Sequence, residues 1–187
     1  SGVTVGVIDT AKAEILAENV GAGSAVPGAL HSYKITVINS GYEHLPSVAV
    51  TGQYPMTSAG NPIGFVPGTV FVQCRATGGA CCNAGGTCGT SADTPKVYAD
   101  QLSATAVLPA ATNSQVVYTV TGMVDPRATG SMGLDASAQW SSSGTDSSHV
   151  DTTLVPDRRL AIHKRLLGRQ DAGGVTTLSY EITASNT

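Results

Sequence analysis

Charged and aromatic residues are scarce in this sequence of 187 residues. Only 12% of the residues are charged and 5% are aromatic, and the charged share is about half that of an ordinary soluble domain. The formal net charge is −3, so the chain lacks the strong basic field that nucleic-acid-binding proteins usually carry. We therefore expect no nucleic-acid partner.

Targeting segments are also missing from the sequence. No run approaches the roughly 20 apolar residues needed to cross a bilayer, which predicts that this chain contains no membrane span. The first five residues, Ser1 to Val5, do not combine a charged region with an apolar core. We therefore expect no signal peptide in this chain.

Motifs that carry catalysis or hold a cofactor are absent as well. The histidines form no H-E-x-x-H pair, and no G-x-S-x-G nucleophile elbow occurs. We expect a protein that is not an enzyme, with no catalytic residue, no cofactor and no metal ligand. Calcium stays an alternative cofactor, although no D-x-[DN]-x-[DN]-G loop is present. The scattered candidate ligands are Asp125, Asp135, Asp146, Asp151 and Asp157.

The residues that are abundant predict an all-β protein. Hydrophobic residues make up 41% of the chain, enough for a packed core. Segments that alternate apolar and polar residues recur between turns rich in Gly, Pro, Asn and Ser, at the spacing of a β-sandwich. The predicted strands cover residues 13–17, 30–38, 48–52, 68–73, 96–98, 104–109, 115–122, 133–140 and 150–155.

Four cysteines, Cys74, Cys81, Cys82 and Cys88, lie within one short loop. Two disulfides in an oxidising compartment are the favoured interpretation, because the surrounding loop has almost nothing to bury and needs covalent support. An adjacent pair rarely bonds to itself, so Cys81 and Cys82 are expected to reach outward, with the pairing left open. A zinc site is the alternative, although its ligands are usually spaced C-x2-4-C.

An internal repeat is the most informative feature of the sequence. The segment 32–40, SYKITVINS, recurs as 179–187, SYEITASNT, at an offset of 179 − 32 = 147 residues. The same offset aligns Ala13-Glu14-Ile15 with Leu160-Ala161-Ile162 and residues 3–8 with residues 150–155. One shift therefore aligns three strands without gaps.

The repeat predicts the domain organisation. Residues 1–8 are interpreted as the closing strand of a preceding repeat or an exchanged strand, 9–156 as a complete repeat, and 157–187 as the first two strands of a following repeat. The basic run 158–169 fits an opening strand with Leu160 and Ile162 facing inward, although as a helix it would suit an anionic surface. The residues expected at a strand-exchange or repeat–repeat interface are Val3, Val5, Val7, Leu160, Ile162, Tyr180 and Ile182.

The segment from Ser32 to Gly41, together with the later Val48-Ala49-Val50-Thr51 strand and Tyr54-Pro55, resembles the conserved repeat domain family, also called domain of unknown function eleven. Members of that family typically read Y-T-I-T-V-x-N-x-G, then V-x-V-T-D, then L-P. The sequence departs from this pattern at Gly52-Gln53-Tyr54 and in its cysteine loop. The resemblance implies an immunoglobulin-like β-sandwich that occurs in tandem in large bacterial or archaeal surface proteins, and it brings no catalytic residues.

Two classes of function follow from these expectations. The first is an extracellular structural repeat of a stalk or filament, whose partners are other copies or neighbouring repeats joined by strand addition. The second is an adhesin, in which the 74–88 loop recognises a cell-surface partner. Aromatic candidates for such recognition are Tyr42, Tyr54 and Tyr98, whereas Trp140 is expected in the core.

Overall fold

A computed structural model describes residues 10–84, 88, 97–110, 113–156 and 160–186. The chain divides into two compact units, Ser1–Val155 and Pro156–Thr187. Within the described residues all regular structure is β, and no helix long and apolar enough to cross a membrane occurs there. The strands are β1 Ala13–Asn19, β2 Ser24–Ala25, β3 Leu30–Asn39, β4 Leu45–Gln53, β5 Phe71–Thr77, β6 Val97–Tyr98, β7 Leu102–Leu108, β8 Gln115–Met123, β9 Gly130–Gln139, β10 Thr145–Leu154, β11 Leu160–Ala172 and β12 Val175–Asn186.

The first unit contains two five-stranded sheets, in the orders β1-β3-β8-β5-β6 and β2-β10-β9-β4-β7. Neighbouring strands are antiparallel, apart from the short parallel pairing of β2 with β10. In an immunoglobulin domain one sheet has the strand order A-B-E-D and the other has the order G-F-C, to which variable-type domains add strands beside C. The groups β1-β3-β8 and β4-β9-β10 have this arrangement, so the predicted all-β, immunoglobulin-like β-sandwich is confirmed.

The core of the first unit forms between the inner faces of the two sheets. In β3 the buried residues alternate along the strand, and Tyr33, Ile35 and Val37 are all fully buried. Strands β8, β4 and β9 show the same alternation. Full burial of one such side chain contributes roughly 1.5–3 kcal/mol, so the alternation fixes which face of each strand points inward.

An aromatic group occupies one end of this core and explains the glycine at position 122. The ring of Phe65 packs edge-to-face with those of Tyr33 and Tyr54, with both centroid distances 5.9 Å. A Cβ atom on Gly122 would lie 2.8 Å from two atoms of the Phe65 ring and 2.9 Å from Val70. The absence of a side chain at position 122 therefore makes room for the Phe65 ring.

Strand β10 begins at Thr145, five residues before the predicted start at Val150. Its first half carries polar side chains on both faces, so an alternation of apolar and polar residues could not predict it from the sequence. Two of its side chains bond to the backbone edge of β1: the Ile15 amide donates to Oδ2 of Asp146 at 3.0 Å, and the Ala17 amide donates to Oγ of Ser148 at 2.9 Å. Side chains of one sheet thus accept hydrogen bonds from the backbone amides on the edge strand of the other sheet.

The second unit is a two-stranded ribbon formed by β11 and β12. Gly173 and Gly174 connect the strands, both with positive φ (61° and 81°), as a tight two-residue hairpin turn requires. The pairing shifts by one residue between Leu166 and Gly168, which is a β-bulge. The strand interpretation of the basic run is therefore correct for the part the structure describes.

Candidate functional site

The ribbon has one apolar face, and that face is the main candidate interaction surface. Because side chains alternate along each strand, Ile162, Leu166, Leu178, Tyr180 and Ile182 share this face through the pairs Lys164↔Ile182, Leu166↔Tyr180 and Arg169↔Leu178. The opposite face carries polar side chains such as His163, Arg165, Glu181 and Thr183. We call the face that contains Ile162, Tyr180 and Ile182 the apolar ribbon face.

The apolar ribbon face is exposed. The accessible fractions are 64% for Ile162, 67% for Ile182 and 44% for Tyr180. Ile162, which the sequence predicts to face inward in a following repeat, is thus exposed in the described ribbon, because two strands alone cannot enclose their apolar side chains. The cation of Lys164 lies 4.0 Å from the centre of the Tyr180 ring and covers part of it.

The backbone pairing of the ribbon repeats that of the first unit. In the sandwich, β1 and β3 pair from Ala13↔Asn39 to Asn19↔Tyr33. Adding 147 to each residue number gives Leu160↔Asn186 and Leu166↔Tyr180, and the ribbon contains both pairs and the five between them. The offset found in the sequence is thus also the offset between two strand pairings.

The same correspondence shows what the apolar ribbon face lacks. Ile162 corresponds to Ile15, which is 7% exposed, and Tyr180 and Ile182 correspond to Tyr33 and Ile35, which are fully buried. In the first unit the second sheet covers these positions. The residues exposed on the apolar ribbon face are therefore at positions that the first unit buries.

Of the remaining predicted interface residues, the structure describes the backbone of Leu160 but not residues 3, 5 and 7. Leu160 begins β11 and pairs with Asn186, so its backbone has the predicted strand position. Val3, Val5 and Val7, with the proposed closing strand 1–8, lie outside the described residues.

The structure contains two disulfides in the cysteine segment, Cys74–Cys82 and Cys81–Cys88. Cys74 lies within β5 and is not part of a loop. The first disulfide joins two buried cysteines, whereas the second joins the buried Cys81 to the exposed Cys88. Each residue of the adjacent pair thus bonds outward, as expected.

The segment after β5 is attached to the second sheet at its adjacent cysteines. Cys81 and Cys82 are buried together with Ala80, whereas residues 78, 79, 83 and 84 around them are exposed. The expectation that the surrounding loop has little to bury therefore holds for the described residues apart from Ala80. The Cys81 amide donates to the Val107 carbonyl at 2.9 Å, and the Val107 amide donates back to the Cys81 carbonyl at 3.1 Å. The segment therefore continues the second sheet beyond β7.

An exposed histidine lies between two carboxylates on the outer face of the second sheet. Nδ1 of His149 is 2.7 Å from Oδ1 of Asp135, and Nε2 is 3.2 Å from Oδ1 of Asp151. Hydrogen bonds to Asp135 and then to Asp151 raise the pKa of His149. Because both ring nitrogens face carboxylates, the arrangement favours the imidazolium form and leaves neither nitrogen free to act as a metal ligand.

A buried polar network connects β1, β3 and β10. The hydroxyl of Thr152 donates to Oδ1 of Asn19 at 2.6 Å and lies 3.0 Å from the hydroxyl of Tyr33. Nε2 of His31 is 3.0 Å from the same Asn19 oxygen. Burial lowers the pKa of His31 and raises the pKa of Tyr33 to about 12. Both groups are therefore held neutral near pH 7, which suits a structural role.

Of the aspartates considered for calcium, Asp135 and Asp151 lie on either side of His149, and the other described ones have separate partners. Asp125 is paired with Arg127, and that hydrogen bond holds the pKa of the Asp125 carboxyl below its usual range. Asp146 accepts from the β1 backbone, and Asp157 lies outside the described residues. Among the described residues no group of three or more potential ligands is arranged to hold a metal ion.

The aromatic candidates differ in exposure. Tyr42 and Tyr98 are exposed, whereas Tyr54 is buried and donates its hydroxyl to the Ala99 carbonyl at 2.9 Å. The interpretation of Tyr54 as a recognition residue is therefore wrong. Trp140 packs against the core and donates its indole N–H to the Ala11 carbonyl at 2.9 Å, so it lies where the sequence predicted.

No family model matches the sequence, and no curated protein is significantly similar to it. The resemblance to the conserved repeat domain family thus stays a prediction. Among solved structures, the CARDB domain of a Pyrococcus furiosus protein matches with a TM-score of 0.42 and 10% identity, over 81% of this chain and 99% of that chain. The bacterial hydrophobin BslA matches with a TM-score of 0.35 and 12% identity, over 77% of this chain and 95% of that chain.

Proposed function

We propose that the chain is a non-enzymatic structural repeat of a tandem β-sandwich protein, in which the β11–β12 ribbon is the start of a second sandwich. The observation that carries this proposal is the pairing register of the ribbon, which repeats that of β1 and β3 at the 147-residue offset. Residues 9–156 are then one complete repeat and 157–187 open the next one.

The setting proposed for this repeat is extracellular or at the cell surface. Two disulfides within a single segment suit an oxidising compartment, because cytosolic thiols are kept reduced. Sandwiches joined in series give a protein its reach, since each repeat contacts mainly its neighbours. A stalk or filament is the role that agrees with these features.

The test extends the full chain by one segment. Thr187 corresponds to Ser40 at the 147-residue offset, so residues 41–156 appended after Thr187 supply the missing part of a second repeat. We expect the amides of β12 to become protected from hydrogen exchange in the extended chain. The amplitude of its cooperative unfolding transition should be roughly double that of the original chain, because two sandwiches unfold instead of one. A ribbon that exchanges as fast in the extended chain as in the original one overturns the proposal.

A matched pair of variants separates specific packing from mere chain extension. In the extended chain, Tyr180→Ser with Ile182→Ser removes apolar side chains from the apolar ribbon face and is expected to abolish the protection. Glu181→Ser with Thr183→Ser changes the opposite face and is expected to preserve it. Equal effects of the two pairs would contradict a sandwich built on that face.

An adhesive role for the cysteine segment is the second candidate. The disulfide from buried Cys81 to exposed Cys88 favours it, because this bond braces a surface segment. The variant Cys81→Ala with Cys88→Ala keeps the Cys74–Cys82 disulfide. Loss of cell attachment by this variant without loss of the folded sandwich would favour the adhesin, whereas unchanged attachment would exclude recognition by the braced segment.

A further inference from the structure

Strand β12 has one paired edge, whereas its counterpart in the sandwich has two. In the first unit, β3 pairs with β1 on one side and with β8 on the other. In the ribbon, β12 pairs with β11, and no other described strand pairs with it. An edge of this length with an apolar face beside it is a template for a further strand.

We infer that the free edge of β12 binds one antiparallel strand of the same kind as β8, supplied by a further repeat. This inference rests on the proposed function and deepens it, because it names the strand that must be recognised and its register. Backbone hydrogen bonds along β12 provide binding, and alternate side chains on the apolar ribbon face provide specificity.

The register follows from the sandwich. In the first unit Tyr33 pairs with Val120, Ile35 with Tyr118, and Val37 with Val116. The 147-residue offset converts the β3 residues to Tyr180, Ile182 and Ala184. The incoming strand therefore has the pattern Val-x-Tyr-x-Val. Its first Val lies opposite Ala184, its Tyr opposite Ile182, and its second Val opposite Tyr180.

A second intact copy of the first unit is not the donor. Its β8 lies in the middle of a sheet, paired with β3 on one side and β5 on the other. Val116 and Val120 are fully buried there, so releasing β8 would unfold the sandwich. The donor is a repeat segment whose first two strands are missing and whose β8 is therefore unpaired on that side.

The outer edge of β11 indicates a second contact with the same partner. In the first unit, Asp146 and Ser148 of β10 accept hydrogen bonds from the backbone amides of Ile15 and Ala17. The corresponding amides in the ribbon are those of Ile162 and Lys164. A partner with a β10-like strand would supply a carboxylate and a hydroxyl to these amides.

The test adds a synthetic peptide with the sequence of residues 113–124 to the full-length protein. We expect the peptide to slow hydrogen exchange of the β12 amides at least about tenfold at saturation, while the amides of β3 in the same molecule are unaffected. A peptide with Val116→Ser, Tyr118→Ser and Val120→Ser should have no effect. Equal effects of the two peptides, or no protection by the first at millimolar concentration, overturn the inference.

Variants of the protein locate the bound peptide. Ile182→Ser on the apolar ribbon face is expected to weaken peptide binding at least about tenfold, whereas Thr183→Ser on the opposite face should leave it unchanged. If the extended chain protects the ribbon but the peptide does not, the strand assignment fails and the tandem-repeat proposal stands. If the extended chain also leaves the ribbon unprotected, both fail.

Discussion

His149 lies directly opposite Asp135 across β9 and β10, with its Nδ1 atom 2.7 Å from the carboxylate oxygen. This hydrogen bond is the main reason that the pKa of His149 is raised, and the bond to Asp151 comes next. We expect the His149 ring to titrate above the ordinary histidine value of about 6.5. Asp135→Asn should lower that pKa more than Asp151→Asn does, as followed by NMR of the ring protons.

The raised pKa fixes the direction of the pH effect on stability. The folded protein holds the His149 proton more tightly than the unfolded chain, so the contribution is fully present below about pH 6.5. It is lost as the pH rises through the folded pKa. Denaturant midpoints measured across this range should show this trend in the native protein and lose it in His149→Gln; the same trend in both would contradict the assignment.

Thr152→Val tests the buried polar network. The variant keeps the volume but removes the hydroxyl that contacts Asn19 and Tyr33, so polar atoms are left without a partner in a buried site. We expect a loss of about 1–3 kcal/mol in the free energy of unfolding, measured by urea denaturation. Thr153→Val, at the exposed neighbouring position, serves as the control and should change stability by less than about 0.5 kcal/mol.

Asn39 ends β3 and bonds to three backbone carbonyls through its side-chain amide. The two N–H bonds of Nδ2 are shared among the carbonyls of Glu43 at 2.8 Å, Leu108 at 3.1 Å and Pro109 at 3.0 Å, while Oδ1 accepts from the Gly41 amide. Asn39→Ala should cost about 2–3 kcal/mol. Asn39→Asp retains the acceptor but brings a carboxylate to three carbonyls, so calorimetry should show at least as large a loss. An Asn39→Asp variant as stable as the native protein would refute this account.

Gly122→Ala should destabilise the sandwich by about 1–3 kcal/mol, because the added methyl group overlaps the Phe65 ring. Gly23→Ala is a suitable control, since its nearest contact would be 4.0 Å away, on the Asn19 side chain. Thermal unfolding of both variants gives the comparison. A Gly122→Ala protein as stable as the control would show that the ring does not occupy this position.

The two disulfides should contribute unequally to stability. Cys74–Cys82 and Cys81–Cys88 have sequence separations of 8 and 7 residues, so chain entropy gives each about 2–3 kcal/mol. Only the first joins two buried cysteines, and its removal by paired Cys→Ala changes should therefore cost more. Equal losses in denaturant titrations of the two double variants would contradict the difference in burial.

Much of the fold was predictable because its signals are local or periodic. The alternation of Tyr33, Ile35 and Val37 indicated the buried face of β3, and the repeat offset indicated the two strands of the ribbon. The first half of β10 was missed because Asp146 and Ser148 serve the backbone of another strand. That role depends on tertiary contact and leaves no apolar period in the sequence.

The candidate site was harder to foresee than the fold. His149 and Asp135 meet only because the turn after β9 has a particular length, which sets the register of the hairpin. The burial of Cys81 likewise depends on its pairing with Val107, a residue of a distant strand. The exposure of Ile162 could not follow from alternation, since the pattern marks a face as apolar without stating what covers it.

The Gly173-Gly174 turn has a consequence for the order of folding. It brings β11 and β12 together over a minimal loop, so the ribbon closes through contacts between residues near in sequence. Local closure of this kind is fast. In the proposed tandem protein, the strand equivalent to β8 would be separated from β12 by a long stretch of chain and would pair later. In a growing polypeptide the first two strands of each repeat would therefore stand ready as a template while the rest is still being made.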